Sequence, residues 1–480
     1  MLFNSFEFLI FLPAVFLLYW YLCRTRKQQN FLIVIVSYVF YGWWDWRFLL
    51  LIAFTSLCSY GSGFAIERHE GRRSAQKYIS AGNIILNLLI LGVFKYYNFF
   101  AESFAGLFRG LGYQMDLVTL NVVLPVGISF YTFQALSYSI DVYQGKIKPT
   151  KDIVQFFAYI SFFPQLVAGP IERATNLLPQ FEKQRLFDYA QVVDGLRQML
   201  WGFFKKVVVA DICAYYVNQN WDYYEELPGL MLIELAVLFT FQIYCDFSGY
   251  SDIAIGCAKL FGIRLMRNFD VPYISRNIGE FWRRWHISLM SWFRDYVYIP
   301  LGGNRCAKWK AIANILIVFL ISGLWHGANW TFVIWGGYNG VLIVLANLIG
   351  WNTKYKSVVA VNKRLPSLNE LLSITLTFIL VVVGWVIFRS ENLSQLAGFF
   401  QSLSSNSLVD SNVEFFYLPF AAIFAMLVVE WKTREKQHAF EQPLNGILRK
   451  RVVRWAVYYS LILAIYGFWG YAQEFIYFQF

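Results

Sequence analysis

The sequence predicts an all-α polytopic membrane protein, and three observations carry that prediction. Of its 480 residues, 58% are hydrophobic and 15% are charged, whereas an ordinary soluble domain carries about 25% charged side chains. Apolar stretches of spanning length, roughly 17 to 25 residues, recur along the whole chain. The loops between them alternate in basic charge, as the positive-inside rule requires.

In chain order, apolar stretches occupy 6–22, 31–44, 47–66, 79–100, 122–143 and 152–171. They are followed by 196–217, 229–245, 311–325, 329–349, 370–388, 414–430 and 453–471. Roughly 11 to 13 membrane helices are therefore expected. The first apolar run starts at Leu2 without a basic leader, and Arg24, Arg26 and Lys27 come after it. This reads as a first membrane helix with its N-terminus outside, not as a cleaved signal peptide. Arg68, Arg72, Arg73 and Lys77 mark a second basic loop, and Lys146, Lys148 and Lys151 a third, on the same side as the first. The segment 101–121 carries only Glu102, Arg109 and Asp116. Topology thus accounts for the net charge of +11 and leaves no case for nucleic acid. Polar surface is expected at 172–190, 263–310 and 431–453, the last two cytosolic by the same charge rule. No linker or fixed-period repeat divides 1–480, so a single membrane domain is expected. Six cysteines, Cys23, Cys58, Cys213, Cys245, Cys257 and Cys306, show no C-x-x-C spacing. They read as small core hydrophobes, with no metal site.

The chain has four histidines, and two of them lie in tryptophan-rich, otherwise apolar stretches. Polar side chains at membrane depth are costly, which makes His286 and His326 candidates for function. In 279–299, Trp282, Trp285, His286, Leu289, Trp292 and Phe293 recur at three- and four-residue spacing, predicting one amphipathic helix. Two readings of that helix stand. One is a re-entrant element carrying His286 toward a cavity. The other is an in-plane helix whose Arg283 and Arg284 meet lipid phosphates, with a Glu280–Arg284 surface pair. His326 follows an uncharged run, 312–324, and precedes Gly327, Ala328 and Asn329. That spacing predicts a break between two helices with His326 at a helix end. Gly323 and Gly327 admit a close approach by backbone or ligand.

A neutral imidazole can take a proton from a hydroxyl. No G-x-S-x-G nucleophile motif accompanies it, which favours direct attack by a second substrate. Tyr244-Cys-Asp-Phe-Ser-Gly-Tyr-Ser-Asp252 gathers Asp246, Ser248, Ser251 and Asp252 between apolar runs. Gly249 suggests a helix break there, and the cluster either lines a reaction cavity or orients a histidine, or forms a short interfacial turn with Asp252 capping the next helix. Ser161-Phe-Phe-Pro-Gln-Leu-Val-Ala-Gly-Pro170 predicts a kinked or broken segment with Gln165 toward a cavity.

The strings Glu280-Phe-Trp-Arg-Arg-Trp-His286, Trp292-Phe-Arg-Asp-Tyr-Val-Tyr-Ile-Pro-Leu-Gly-Gly303 and Gly323-Leu-Trp-His-Gly-Ala328 resemble the membrane-bound O-acyltransferase (MBOAT) family. They are most similar to its bacterial branch acting on alginate and other exopolysaccharides. The resemblance extends to Tyr244–Asp252, Phe163-Pro-Gln-Leu-Val-Ala-Gly-Pro170 and Gly384-Trp-Val-Ile-Phe-Arg389. It implies an MBOAT fold, with helices and re-entrant elements around a central funnel or pore, and places the family's two pore residues on His326 and His286.

It further implies an acetyl group passed from acetyl-CoA, a cytosolic thioester donor, across a bacterial inner membrane. No permanently bound cofactor is expected. The recipient would be a periplasmic or membrane-anchored partner acetyltransferase, or the polysaccharide acceptor itself. On this reading His326 is the base and His286 positions the thioester. Trp285, Trp325, Asp246, Ser248, Asn329, Arg283, Arg284 and Arg294 are candidates for holding the donor. Arg305, Lys308 and Lys310 join the arginines as candidate contacts for its phosphates, against the competing reading of topological charge. D-alanyl transfer from a carrier protein to teichoic acid is the alternative within the family. The longer C-terminal part and the Gly384–Arg389 string weigh against it. A non-catalytic transporter of lipid-linked sugars is the alternative outside the family, but polar features in corresponding halves are not seen.

Overall fold

The computed structural model describes residues 1–114, 119–120, 123–355, 358–361, 363–410, 413–442, 444 and 446–478. Asp116 lies outside the described residues. Among them the regular structure is entirely helical. Among the described residues seven helices are long and apolar enough to cross a membrane: Phe48–Arg68, Arg73–Gly110, Gly229–Leu260, Lys308–His326, Trp330–Leu348, Leu368–Arg389 and Arg451–Tyr471. Phe6–Leu22 is a shorter apolar helix. The other apolar stretches fold as helices that are shorter, such as Ile128–Tyr143 and Tyr417–Lys432, or interrupted.

The chain forms two compact units, Met1–Gly195 with Cys257–Met266, and Leu196–Gly256 with Arg267–Phe480. In the first, small polar residues join neighbouring helices. Ser59 Oγ donates to Asn83 Oδ1 (3.3 Å), and Ser80 Oγ lies 3.4 Å from Ser139 Oγ. Such contacts hold helices together where lipid offers no hydrophobic drive between them. The proline-containing stretch is broken as expected, into Ile153–Ser161 and Phe163–Leu166. Ser37 Oγ takes the freed Phe163 N–H (3.0 Å), satisfying backbone that the helix no longer pairs. Gln165 is buried and donates to Tyr159 O (3.1 Å), so it braces the break.

The second unit contains both candidate histidines. Its tightest helix pair is Lys308–His326 against Trp330–Leu348. A Cβ added at Gly323 would run into the Phe332 carbonyl oxygen, and one at Gly336 into that of Phe319. Gly327 similarly meets the Phe332 ring. The glycines ahead of and behind His326 therefore serve helix-to-helix and ring packing. Gly323→Val should destabilise the protein by about 1–3 kcal/mol or more, because rigid backbone cannot yield to the added methyl groups. Thermal unfolding in detergent measures this, and an unchanged midpoint would contradict so close an approach.

Two expectations need correction here. The stretch 279–299 is not one helix: it forms Ile278–Arg284 and Ile287–Phe293, with the break at Trp285–His286. Asp270 N–H donates to Arg284 O (2.9 Å) and Ile287 N–H to Asn268 O (2.9 Å). This pairing with a distant strand of backbone pulls the chain out of helical geometry. Tyr244–Asp252, in turn, is neither a break nor a turn, because it lies inside the continuous helix Gly229–Leu260. Gly249 serves a crossing instead: a Cβ there would sit 2.8 Å from Gly202 O, and one on Gly202 would sit 2.7 Å from Gly249 O.

Candidate active site

That glycine crossing places two lysines against the acidic face of the long helix. Lys205 and Lys206 lie in a wide π turn, Phe204–Ala210, a distortion that often marks functional positions. Lys205 Nζ meets Asp252 Oδ2 (2.7 Å) and donates to Ser248 Oγ (3.0 Å). Lys206 Nζ lies between Asp211 Oδ1 (2.7 Å) and Asp246 Oδ1 (2.8 Å), all three side chains being buried. Asp246 Oδ2 also accepts the Ile476 N–H (2.7 Å), and Lys206 donates to Gln473 O (3.1 Å). The ion-paired cluster thus ties down the segment after the last spanning helix. Beside it is a polar cavity of about 30 Å³, room for a water or two, lined by Lys205, Ser248, Ser251, Asp252, Asn268 and Glu430.

His286 sits at the break between its two short helices in a left-handed backbone conformation, φ 44°. Such geometry is strained for a non-glycine residue and persists only where surroundings impose it. Here its ring is buried. Nδ1 lies 3.0 Å from Asn268 Oδ1, and the Phe247 ring is at 4.6 Å, with Phe269 and Trp325 farther round. Burial lowers its pKa to about 3, so the imidazole is neutral at physiological pH.

His326 is the last residue of its helix, with Gly327 at the cap, and Asn329 caps the next helix by accepting the Thr331 N–H (3.1 Å). The predicted break is present. Rings of Trp325, Trp335, Phe388 and Tyr477 surround His326 at 5.0 to 5.7 Å between centroids.

The two histidines are brought together through aromatic rings. Trp325 touches both, at 5.9 Å from His286 and 5.0 Å from His326. A second route runs from His286 to Phe247, then to Tyr477 at 4.6 Å, then to His326. Buried imidazoles in such an aromatic enclosure are suited to proton transfer to or from an uncharged substrate group.

The other candidates divide. Asp246 and Ser248 belong to the lysine cluster, and Phe247 between them packs on His286. Trp285, the chain neighbour of His286, is buried against Trp385 (4.7 Å), and Phe269 packs on both Trp285 and His286. Asn329 is engaged as a cap and donates to Glu391 O (2.6 Å), which leaves it a structural job. Arg284 is buried between Glu280 (3.0 Å) and Asp270 (3.3 Å), so its guanidinium is not open to a donor phosphate. Arg283 and Arg305 are exposed, as are Lys308 and Lys310, and Arg294 is exposed beside Asp295 (2.7 Å). Three residues at this site escaped the sequence reading: Asn268, Lys206 and Tyr477. A lysine pair inside the apolar stretch 196–217 was a usable signal; Asn268 and Tyr477 gave none locally.

Comparison with known proteins gives consistent matches. The model of the membrane-bound O-acyltransferase family matches residues 146–383. A probable alginate O-acetylase of Pseudomonas aeruginosa is 41% identical over 394 residues, covering 82% of this chain and 73% of that protein. A peptidoglycan O-acetyltransferase of Helicobacter pylori is 34% identical, covering 82% and 78%. A teichoic acid D-alanyltransferase of Bacillus subtilis is 32% identical, covering 69% and 82%.

Proposed function

This multi-pass acyltransferase belongs to the membrane-bound O-acyltransferase family, and we propose on that premise that it carries acetyl groups across a bacterial inner membrane. The donor is acetyl-CoA on the cytosolic side. The recipient is a hydroxyl on the other face, belonging to an exopolysaccharide or cell-wall polymer, or to a periplasmic partner acetyltransferase that passes the group on. The whole chain, 1–480, acts as one acyltransferase domain with its N-terminus outside. The observation that carries this reading is the pair of buried histidines joined through Trp325.

In the proposed step the acceptor oxygen attacks the thioester carbonyl, a C–O bond forms and the C–S bond breaks. His326 takes the hydroxyl proton and returns it to the departing thiolate, so that free coenzyme A leaves. His286 holds the reacting groups in place, with Trp325 as a shared wall. Arg283, Arg305, Lys308 and Lys310 remain open for the donor's phosphates, whereas Arg294 would have to leave Asp295 to join them. The 41% identity to an alginate O-acetylase against 32% to a D-alanyltransferase favours acetyl over D-alanyl.

Purified protein in liposomes, given radiolabelled acetyl-CoA and its partner, should release free coenzyme A and label the acceptor. D-alanyl transfer from a charged carrier protein, with no use of acetyl-CoA, would replace this reading by its rival. Release of neither product while a lipid-linked sugar crosses the bilayer would refute both.

A further inference from the structure

We infer that Asn268 is the positioning residue that fixes His286 as the tautomer with a proton on Nδ1 and a bare Nε2. This rests on the reading of His286 as part of the acyl-transfer site and assigns the direction of its hydrogen bonding there. The first step is the orientation of the Asn268 amide. Its Oδ1 accepts the Ser288 backbone N–H (3.3 Å) and the Ser288 hydroxyl (2.9 Å), while its Nδ2 donates to Ser251 Oγ (3.2 Å). A backbone N–H can only donate, so turning the amide over would set two donors against each other. Oδ1 is therefore the atom that faces His286, and an amide oxygen can only accept.

The second step follows from that. His286 Nδ1, 3.0 Å from Oδ1, must carry the hydrogen. A neutral imidazole has one N–H, and the bond made by one nitrogen decides the state of the other. Nε2 is then a lone-pair acceptor. It is buried and has no hydrogen-bond partner among the described residues. A buried acceptor without a partner is costly and calls for a donor from elsewhere.

The backbone fixes where the side chain at 268 stands, whatever that side chain is. The Asn268 carbonyl takes the Ile287 N–H (2.9 Å), so one residue holds the histidine ring and the chain on its far side together. His286 takes its left-handed conformation between these two contacts.

The chemical consequence is specific. His286 cannot donate a hydrogen bond to the thioester carbonyl oxygen, so it is not the group that stabilises the oxyanion. It accepts one instead, from an amide N–H of the donor's arm.

The four histidines make a direct test practical. Nitrogen-15 NMR of the full-length protein labelled at His69, His286, His326 and His438, with His286 assigned by its loss in His286→Gln, reads each tautomer. Wild type should show His286 protonated at Nδ1 and bare at Nε2. Asn268→Leu, close in size but without an acceptor, should lose that single state, and Asn268→Asp should keep it. Acetyl transfer should fall about 10- to 100-fold in Asn268→Leu, the usual cost of losing such a supporting contact. It should recover in Asn268→Asp. Protonation at Nε2 in wild type, or an unchanged spectrum in Asn268→Leu, overturns the inference without reference to activity. The stated tautomer in a protein that transfers no acyl group would instead leave the inference standing and remove the functional reading. Should the leucine variant not fold, the wild-type spectrum alone still decides.

Discussion

His326→Ala should lower acyl transfer by about 10²- to 10⁴-fold, the usual worth of a general base. The loss should appear in turnover and not in donor affinity, because the proposed proton transfer happens only as the acceptor oxygen attacks. The substitution removes a ring enclosed by Trp325, Trp335, Phe388 and Tyr477, so packing must be separated from chemistry. His326→Gln keeps a polar side chain of similar length, and on the proposed mechanism it should be as inactive as the alanine variant. Release of coenzyme A from radiolabelled acetyl-CoA, normalised to folded protein from a thermal melt, is the measurement. Full activity in either folded variant would mean that His326 is not the base. Activity in the glutamine variant alone would assign the residue a purely structural role.

What the sequence disclosed of this site depended on how local its causes are. The helix end at His326 was legible because Gly327 and Asn329 are adjacent to it and cap and break helices through their own chemistry. Asn329 performs that very task, which is also why it is not free for a donor. The stretch around His286 was misread for the opposite reason. Its aromatic residues do recur at helical spacing, but the break is imposed by Asn268 and Asp270, which arrive from earlier in the chain. Tyr244–Asp252 was misread because Asp, Ser and Gly in sequence look like a turn. Inside a helix the same residues become a face: Gly249 admits the neighbouring backbone, and the carboxylates meet Lys205 and Lys206. Arg284 looked like surface charge available to a phosphate. Its i,i+4 partner Glu280 was visible, but the burial of both was not.

Lys206→Met should be the most damaging change to stability, at about 3–5 kcal/mol, the usual cost of removing one partner from a buried ion pair. Lys206 is the only cation within salt-bridge distance of Asp211 and Asp246 among the described residues, and all three side chains are buried. Methionine has nearly the same length, so the loss is electrostatic and not a matter of packing. Two buried carboxylates left facing each other in a low-dielectric setting repel once the ammonium between them is gone. The damage should spread to the segment after the last spanning helix. Lys206 holds it at Gln473 O and Asp246 holds it at the Ile476 N–H, and Tyr477 beyond it is one of the rings against His326. Thermal unfolding in detergent and the yield of folded protein should both fall. Removing all three charges together, with Lys206→Met, Asp211→Asn and Asp246→Asn, should restore most of the stability, because no buried charge is then left unpaired. The two variants thus separate the cost of an uncompensated charge from the cost of losing the cluster. A single variant that melts like wild type would show that water reaches these carboxylates and that the cluster is not buried. If the triple variant folds well but transfers acetyl poorly, the cluster is needed to hold the terminal segment against the histidine pair as well as to fold.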